Sequence, residues 1–62
     1  MRVSELIKTL KKTGYCRLVE HGAEHDKWYS EKTGKSFMVP RHPGKEIPNG
    51  TLNRILKDAG LK

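Results

Sequence analysis

Three histidines are the residues of this 62-residue chain best suited to proton transfer, because an unperturbed imidazole titrates near neutral pH. They are His21, His25 and His42. His21 and His25 have the four-residue spacing that places two zinc ligands on one face of a helix. However, Gly22 lies between them, the flanking residues are typical of strands, and position 22 lacks the glutamate of the metalloprotease motif. The sequence therefore predicts no metal site and no cofactor.

The single cysteine excludes an internal disulfide and a zinc cage built from cysteines. Cys16 lies in a strand-like stretch on the side that faces the predicted core, so we expect it to act as a small buried hydrophobic residue and not as a nucleophile. The chain is too short for a large enzyme with a deep, enclosed pocket. The sequence predicts a single domain over residues 1–62.

A strong positive charge points to a polyanionic partner. Thirteen Lys and Arg residues oppose seven Asp and Glu residues, for a formal net charge of +6. Residues 1–14 hold four basic residues and one acidic residue, residues 15–31 hold two and four, and residues 32–62 hold seven and two. No apolar run approaches the roughly 20 residues of a membrane span or the roughly 7 to 15 of a signal peptide. We therefore expect a soluble cytoplasmic protein that binds nucleic acid.

The hydrophobic pattern predicts five secondary-structure elements that could position these residues. Apolar residues recur at i, i+3, i+4 and i+7 near both ends of the chain, which indicates two amphipathic helices. Short stretches rich in aromatic and β-branched residues between them indicate three strands. The predicted elements are a helix over Ser4–Lys12, strands over Tyr15–Glu20, Asp26–Ser30 and Ser36–Val39, and a helix over Asn49–Ala59.

Short turns between consecutive strands predict an antiparallel meander. The fold class is α+β, with two helices packed on one face of a three-stranded sheet. Ser4 is the expected N-cap of the first helix, and Gly60 is expected to end the second in a Schellman motif. Pro40 should end the third strand or place it at an edge. The stretch Arg41–Pro48 has the composition of an ordered surface loop.

Two neighbouring aromatic residues, Trp28 and Tyr29, could stack on nucleic-acid bases. Adjacent residues of a strand point to opposite faces, so at most one of them is in the core and the other is exposed. The sequence predicts one stacking aromatic and not two.

The chain resembles the HicA (YcfA-like) family of mRNA interferase toxins along nearly its whole length. The matching segments are Leu6–Leu10 followed by Gly14-Tyr15, then Gly22–Tyr29, then Val39–Pro48, and finally Gly50–Leu52 leading to Ile55–Leu61. The last two segments, a loop followed by a helix, are the most specific. The resemblance implies a fold similar to the double-stranded-RNA-binding domain, in the order α-β-β-β-α.

The same resemblance implies a catalytic role for His25. Family members carry a small residue and a histidine at the entrance to the second strand, and this chain has Gly22-Ala23-Glu24-His25, with an acidic residue where the family commonly has serine or another small residue. The implied reaction is metal-independent attack of a ribose 2′-hydroxyl on the adjacent phosphate.

Four further residues are candidates for RNA binding: Lys27, Arg41, His42 and Lys45. Two lysines and an arginine would neutralise phosphate, while His42, between Arg41 and Pro43, suits substrate contact or loop structure. The group that protonates the leaving oxygen is left open between water and His42.

The resemblance also implies an antitoxin of the HicB type as a protein partner, with single-stranded mRNA as the substrate. The positive charge suits an acidic partner. Two other functions remain open: a non-catalytic RNA-binding module of the same fold, and a structural subunit whose basic surface meets an acidic protein.

Overall fold

The predicted order of elements is confirmed by a computed structural model that describes all 62 residues. The elements are α1 (Val3–Thr13), β1 (Cys16–His21), β2 (His25–Ser30), β3 (Lys35–Pro40) and α2 (Asn49–Ala59). The strands form an antiparallel sheet in the order β1-β2-β3, and both helices contribute to a core on one face of it. Neither helix has the length and apolar character needed to cross a membrane.

The start of α1 differs from the prediction. The helix begins at Val3, so Ser4 lies inside its first turn and the prediction of Ser4 as N-cap is wrong. Glu5 takes over part of the capping, because its Oε1 accepts a hydrogen bond from the Arg2 N–H at 3.1 Å.

The Arg41–Pro48 loop supplies the rest of the cap. The N–H groups of Val3 and Ser4 donate to the carbonyl oxygens of Lys45 and Pro43 at 3.0 and 3.1 Å. A helix start leaves its first N–H groups without intrahelical partners, and here the loop backbone accepts from two of them. The predicted surface loop is therefore held by hydrogen bonds to α1, a contact that the sequence does not indicate.

The strands are shifted or extended by a residue relative to the prediction. β1 runs from Cys16 to His21, and the pairing of β2 with β3 extends from Ser30–Lys35 to His25–Pro40. His25 is thus the first residue of β2 and not part of the preceding turn. Pro40 ends β3, which is an edge strand, as its missing N–H requires.

Ten buried residues from all five elements and the Arg41–Pro48 loop form the core. They are Val3, Leu6, Leu10, Cys16, Trp28, Phe37, Val39, Ile47, Ile55 and Ala59. Leu52 and Leu56, which belong to the apolar stripe that predicts α2, are only partly buried at the border of the core. Leu18, which shares a face with Cys16, is 38% exposed. It lies on the edge strand next to an irregularity in pairing between Leu18 and Glu20.

The sheet also holds the end of α2. The Ser30 hydroxyl donates to the Ala59 carbonyl oxygen at 2.9 Å, and the Cys16 thiol lies 3.8 Å from the same oxygen. Ser30 is fully buried, and this bond satisfies its polar group.

The C-terminus of α2 ends as the sequence predicts. Beyond Ala59, Gly60 is left-handed and the Leu61 N–H donates to the Leu56 carbonyl oxygen at 2.8 Å, which confirms the Schellman motif.

Truncation of Ile55 tests whether α2 is held by its buried stripe. Ile55 is 4% exposed in the core, so Ile55→Ala should lower the free energy of unfolding by about 2 to 5 kcal/mol. Thr51→Ala, at an exposed position one turn earlier in α2, is the control and should change it by less than about 0.5 kcal/mol. Urea denaturation of both variants gives the comparison, and a loss under about 0.5 kcal/mol for Ile55→Ala would show that Ile55 is not a core residue.

Candidate functional site

Side chains alternate along β2 between the helices and the uncovered side of the sheet. Asp26, Trp28 and Ser30 are buried on the helix side, whereas His25 is exposed and Lys27 and Tyr29 are partly exposed. We call the uncovered side, which carries His25, Lys27 and Tyr29, the open face. Because the predicted catalytic histidine and one predicted RNA contact are two residues apart on one strand, they point to the same side.

The neighbouring strands complete the surroundings of His25. Lys27 pairs with Glu20 of β1 and with Met38 of β3. Together with Gly22 and His25 these residues line a shallow cavity of about 120 Å³, which we call the His25 depression. Met38, at 52% exposure, also borders a larger groove that continues past the edge of β3 to α2.

The turn before His25 is held by three hydrogen bonds. The Gly22 N–H donates to the His25 carbonyl oxygen at 2.9 Å, and the Gly22 carbonyl oxygen accepts from Arg41 Nη1 at 2.8 Å. The Arg41 N–H donates to the Glu24 carbonyl oxygen at 3.0 Å. The carbonyl groups of Glu24 and His25 are therefore both held by hydrogen bonds, the first of them to Arg41, the residue that follows β3.

Asp26, on the helix side of the same strand, strengthens this arrangement. Its Oδ1 lies 3.6 Å from Arg41 Nε and 3.2 Å from His21 Nδ1. The Asp26 side chain is 13% exposed, so its charge is largely withdrawn from water and is met by these partners. Arg41, predicted to contact RNA, is thus already bound to a carboxylate and a carbonyl of this chain.

The two histidines with zinc-like spacing do not come together. His21 pairs with Asp26 across the sheet and faces the helix side, whereas His25 faces the open side. Their rings lie on opposite faces because the intervening chain is a strand-turn-strand connection and not a helix. Nowhere in the chain do three or more histidine, cysteine, aspartate or glutamate residues form a cluster that could hold a metal ion.

The remaining predicted RNA contacts lie in the loop after β3. His42 and Lys45 are exposed, and the Lys45 N–H donates to the His42 carbonyl oxygen at 3.1 Å in a turn. Neither residue lines the His25 depression. The loop leaves the sheet at Pro40, the cross-strand partner of His25, so it starts at the same end of the sheet as the histidine.

Three residues of the depression were not identified from the sequence as site residues: Glu20, Gly22 and Met38. The sequence places Gly22 in the segment before His25 and gives it no role of its own, yet a Cβ at this position would overlap the His25 carbonyl oxygen. The period-two spacing of His25, Lys27 and Tyr29 is the sequence signal that could have indicated a shared surface.

These groups suit acid-base chemistry on a phosphate ester. An exposed imidazole can exchange a proton with a bound hydroxyl, and an ammonium on the same face can neutralise phosphate oxygens. Among the three histidines, only His21 is engaged with another side chain. The His25 ring is therefore free to meet a substrate on the open face.

Substitution of Gly22 tests how tightly the turn holds His25. Gly22 does not have a left-handed backbone, so the cost of Gly22→Ala arises from the overlap with the His25 carbonyl alone. We expect the free energy of unfolding to fall by about 1 to 3 kcal/mol. Gly44→Ala is the matched control, because a Cβ at Gly44 meets no atom within 4 Å. Chemical denaturation of both proteins checks the difference, and an unchanged Gly22→Ala protein would contradict the close approach.

Comparison with known proteins identifies the family of the chain. The family described as "HicA toxin of bacterial toxin-antitoxin" matches residues 3–61. A relative from Photorhabdus laumondii subsp. laumondii, named "Probable mRNA interferase HicA 2", is 39% identical over 62 residues, which span the whole of both chains. No solved structure matches the chain. The chain belongs to the family of HicA toxins of bacterial toxin-antitoxin systems.

Proposed function

We propose that this toxin is a metal-independent endoribonuclease that cleaves single-stranded mRNA through His25. The observation that carries the proposal is the shared position of His25 and Lys27 in one exposed depression of the open face. Family membership and the name of the 39% identical relative support RNA cleavage as the activity.

The reaction requires one base, one acid and a cation. His25 accepts the proton of a ribose 2′-hydroxyl while the 2′-oxygen forms a bond to the adjacent phosphorus. The bond from phosphorus to the 5′-oxygen of the next nucleotide breaks, and that oxygen takes up a proton. The products are a 2′,3′-cyclic phosphate and a free 5′-hydroxyl. Lys27 neutralises charge that accumulates on the phosphate oxygens.

Water is the simplest proton donor to the leaving oxygen. The depression is shallow and exposed, so water reaches it, whereas His42 does not line it. His42 and Lys45 instead extend the surface at the end of the sheet where His25 lies, and we assign them to binding of the RNA strand beyond the cleaved phosphate. Arg41 keeps one role toward this chain, holding the turn before His25, and its exposed side chain leaves room for a phosphate contact as well.

Most of the excess positive charge of the molecule lies outside the open face. On the open face, Lys27 lies across from Glu20 in the register of β1 and β2, and Arg17 Nη1 lies 3.1 Å from Glu31 Oε1. The excess of cations therefore lies on the helices, turns and the Arg41–Pro48 loop. Such a distribution draws a polyanion toward the protein from several sides.

The same charge suits an acidic protein partner. We propose an antitoxin of the HicB type that covers the open face and blocks access to His25. No helix of this chain covers that face, and Met38 is a largely exposed apolar side chain on it. We further propose that the toxin acts in the cytoplasm, where mRNA is found.

The positive charge predicts RNA binding that depends strongly on salt. Lysine and arginine side chains release counterions when they bind phosphates, so the affinity for a single-stranded oligoribonucleotide should fall steeply between 50 and 200 mM salt, about tenfold or more for even a few contacts. Fluorescence anisotropy across this range measures the slope. A flat response would remove RNA as the main ligand.

Replacement of His25 tests the catalytic assignment. General acid-base catalysis typically contributes on the order of 10² to 10⁴ in rate, so His25→Ala should lose nearly all RNA cleavage and growth inhibition. The side chain is exposed, so fold, RNA affinity and antitoxin binding should persist. EDTA should leave cleavage by the unmodified protein intact.

His42→Ala is the companion variant. Because His42 lies outside the depression, this variant should keep the rate at saturating RNA and lose only affinity. If His25→Ala cleaves at the normal rate and His42→Ala does not, the catalytic role belongs to His42. If the unmodified protein binds RNA and never cleaves it, the chain is a non-catalytic RNA-binding module.

A further inference from the structure

Tyr29 is an aromatic residue on the open face that the reaction itself does not use. It lies on β2 with His25 and Lys27, and its ring is partly exposed, whereas the adjacent Trp28 is buried at 4% exposure. Of the two aromatic residues that the sequence marks for stacking, only Tyr29 therefore lies on the side where RNA would be cleaved.

The two cross-strand neighbours of Tyr29 differ in size and in their contact with its ring. Arg17, its partner on β1, places the guanidinium carbon 5.3 Å from the ring centroid, and a salt bridge of 3.1 Å to Glu31 fixes that guanidinium. The partner on β3 is Ser36, which is small and exposed. A serine presents less bulk to the ring than the arginine on the other side does, and Ser36 itself lines the groove that continues past β3.

The position of the ring relative to His25 suits a bound RNA strand. Tyr29 is four residues along β2 from His25, a distance of roughly 13 Å at the rise of an extended strand. Lys27 lies between them on the same face, where a phosphate between the two sites would meet an ammonium. A single strand that follows β2 can thus place its cleaved phosphate at His25 and a base at Tyr29.

We propose that Tyr29, held by Arg17, is a stacking subsite for one RNA base at a constant offset from the phosphate cleaved at His25. The subsite rests on the proposed function for its substrate, single-stranded RNA. Stacking accepts any base because each has a π face, so Tyr29 sets the register of the strand more than its sequence. Partial burial and the Arg17 contact hold the ring in place before RNA binds, which lowers the entropy lost on binding.

Abasic scanning of an oligoribonucleotide tests the subsite without relying on cleavage. The His25→Ala protein is titrated with RNAs that each lack one base, and affinity is read by fluorescence anisotropy. Stacking on an aromatic side chain contributes roughly 5- to 150-fold in affinity per base. One abasic position should weaken binding by an amount in this range, and Tyr29→Leu in the same background should weaken intact RNA equally and become insensitive to that position.

Two further variants separate stacking from other effects. Tyr29→Phe keeps a ring and should retain the affinity and the abasic pattern. Tyr15→Leu is the matched control, because Tyr15 also has a cation beside its ring: Lys32 Nζ lies 5.4 Å from the ring centroid. Lys32 Nζ also donates to the Gly60 carbonyl oxygen, so this second cation-aromatic pair lies beside the end of α2. It should leave RNA affinity unchanged. Melting temperatures of all variants confirm that they are folded.

The outcomes distinguish this proposal from the proposed function. If Tyr29→Leu binds every RNA as tightly as the parent protein, or keeps the same abasic pattern, the subsite is overturned while cleavage by His25 is unaffected. If the unmodified protein never cleaves RNA but the abasic position and Tyr29 are coupled, the subsite stands and the catalytic proposal fails. Loss of antitoxin binding alone in Tyr29→Leu, with RNA affinity intact, would assign the ring to the protein partner and overturn the subsite.

Discussion

The alternation of side chains along β2 is the constraint on which both core and site depend. A chain of this length has two helices to cover a sheet with two faces, and both helices pack on the same one. Trp28 and Ser30 are buried against them, so His25, Lys27 and Tyr29 must lie on the other face. Any change that shifted β2 by one residue would bury the site and expose the core.

The second constraint is that the unpaired backbone N–H and carbonyl groups at the helix ends need hydrogen-bond partners. The N–H groups at the start of α1 donate to carbonyl oxygens of the Arg41–Pro48 loop, and the Ala59 carbonyl oxygen at the end of α2 accepts from Ser30. These bonds connect each helix to a segment that belongs to the sheet or follows it. The loop that leaves the sheet beside His25 is therefore ordered by a helix and does not require a bound ligand.

Most of the excess positive charge of this molecule lies away from the proposed catalytic site. On the open face, Arg17 forms a salt bridge with Glu31, and Lys27 has Glu20 as its neighbour on β1. The surplus of basic residues lies elsewhere. Long-range attraction of a polyanion depends on the total charge, whereas selection of a strand at the site depends on the shape and groups of the open face. This separation explains how a protein with a formal charge of +6 can present a nearly balanced surface beside His25.

The spacing of apolar residues and the position of glycines in the sequence determined the five elements. Both act through local backbone geometry, as the apolar stripe with Leu6 and Leu10 does in α1 and Gly60 does at the end of α2. The resemblance indicated the family and singled out His25. Only the tertiary structure decided that Arg41 binds Asp26 and Gly22, that Leu18 is left exposed at an edge, and that Tyr29 and not Trp28 faces outward. Those outcomes depend on strand register and on which face the helices cover, and both are set by contacts between residues far apart in the chain.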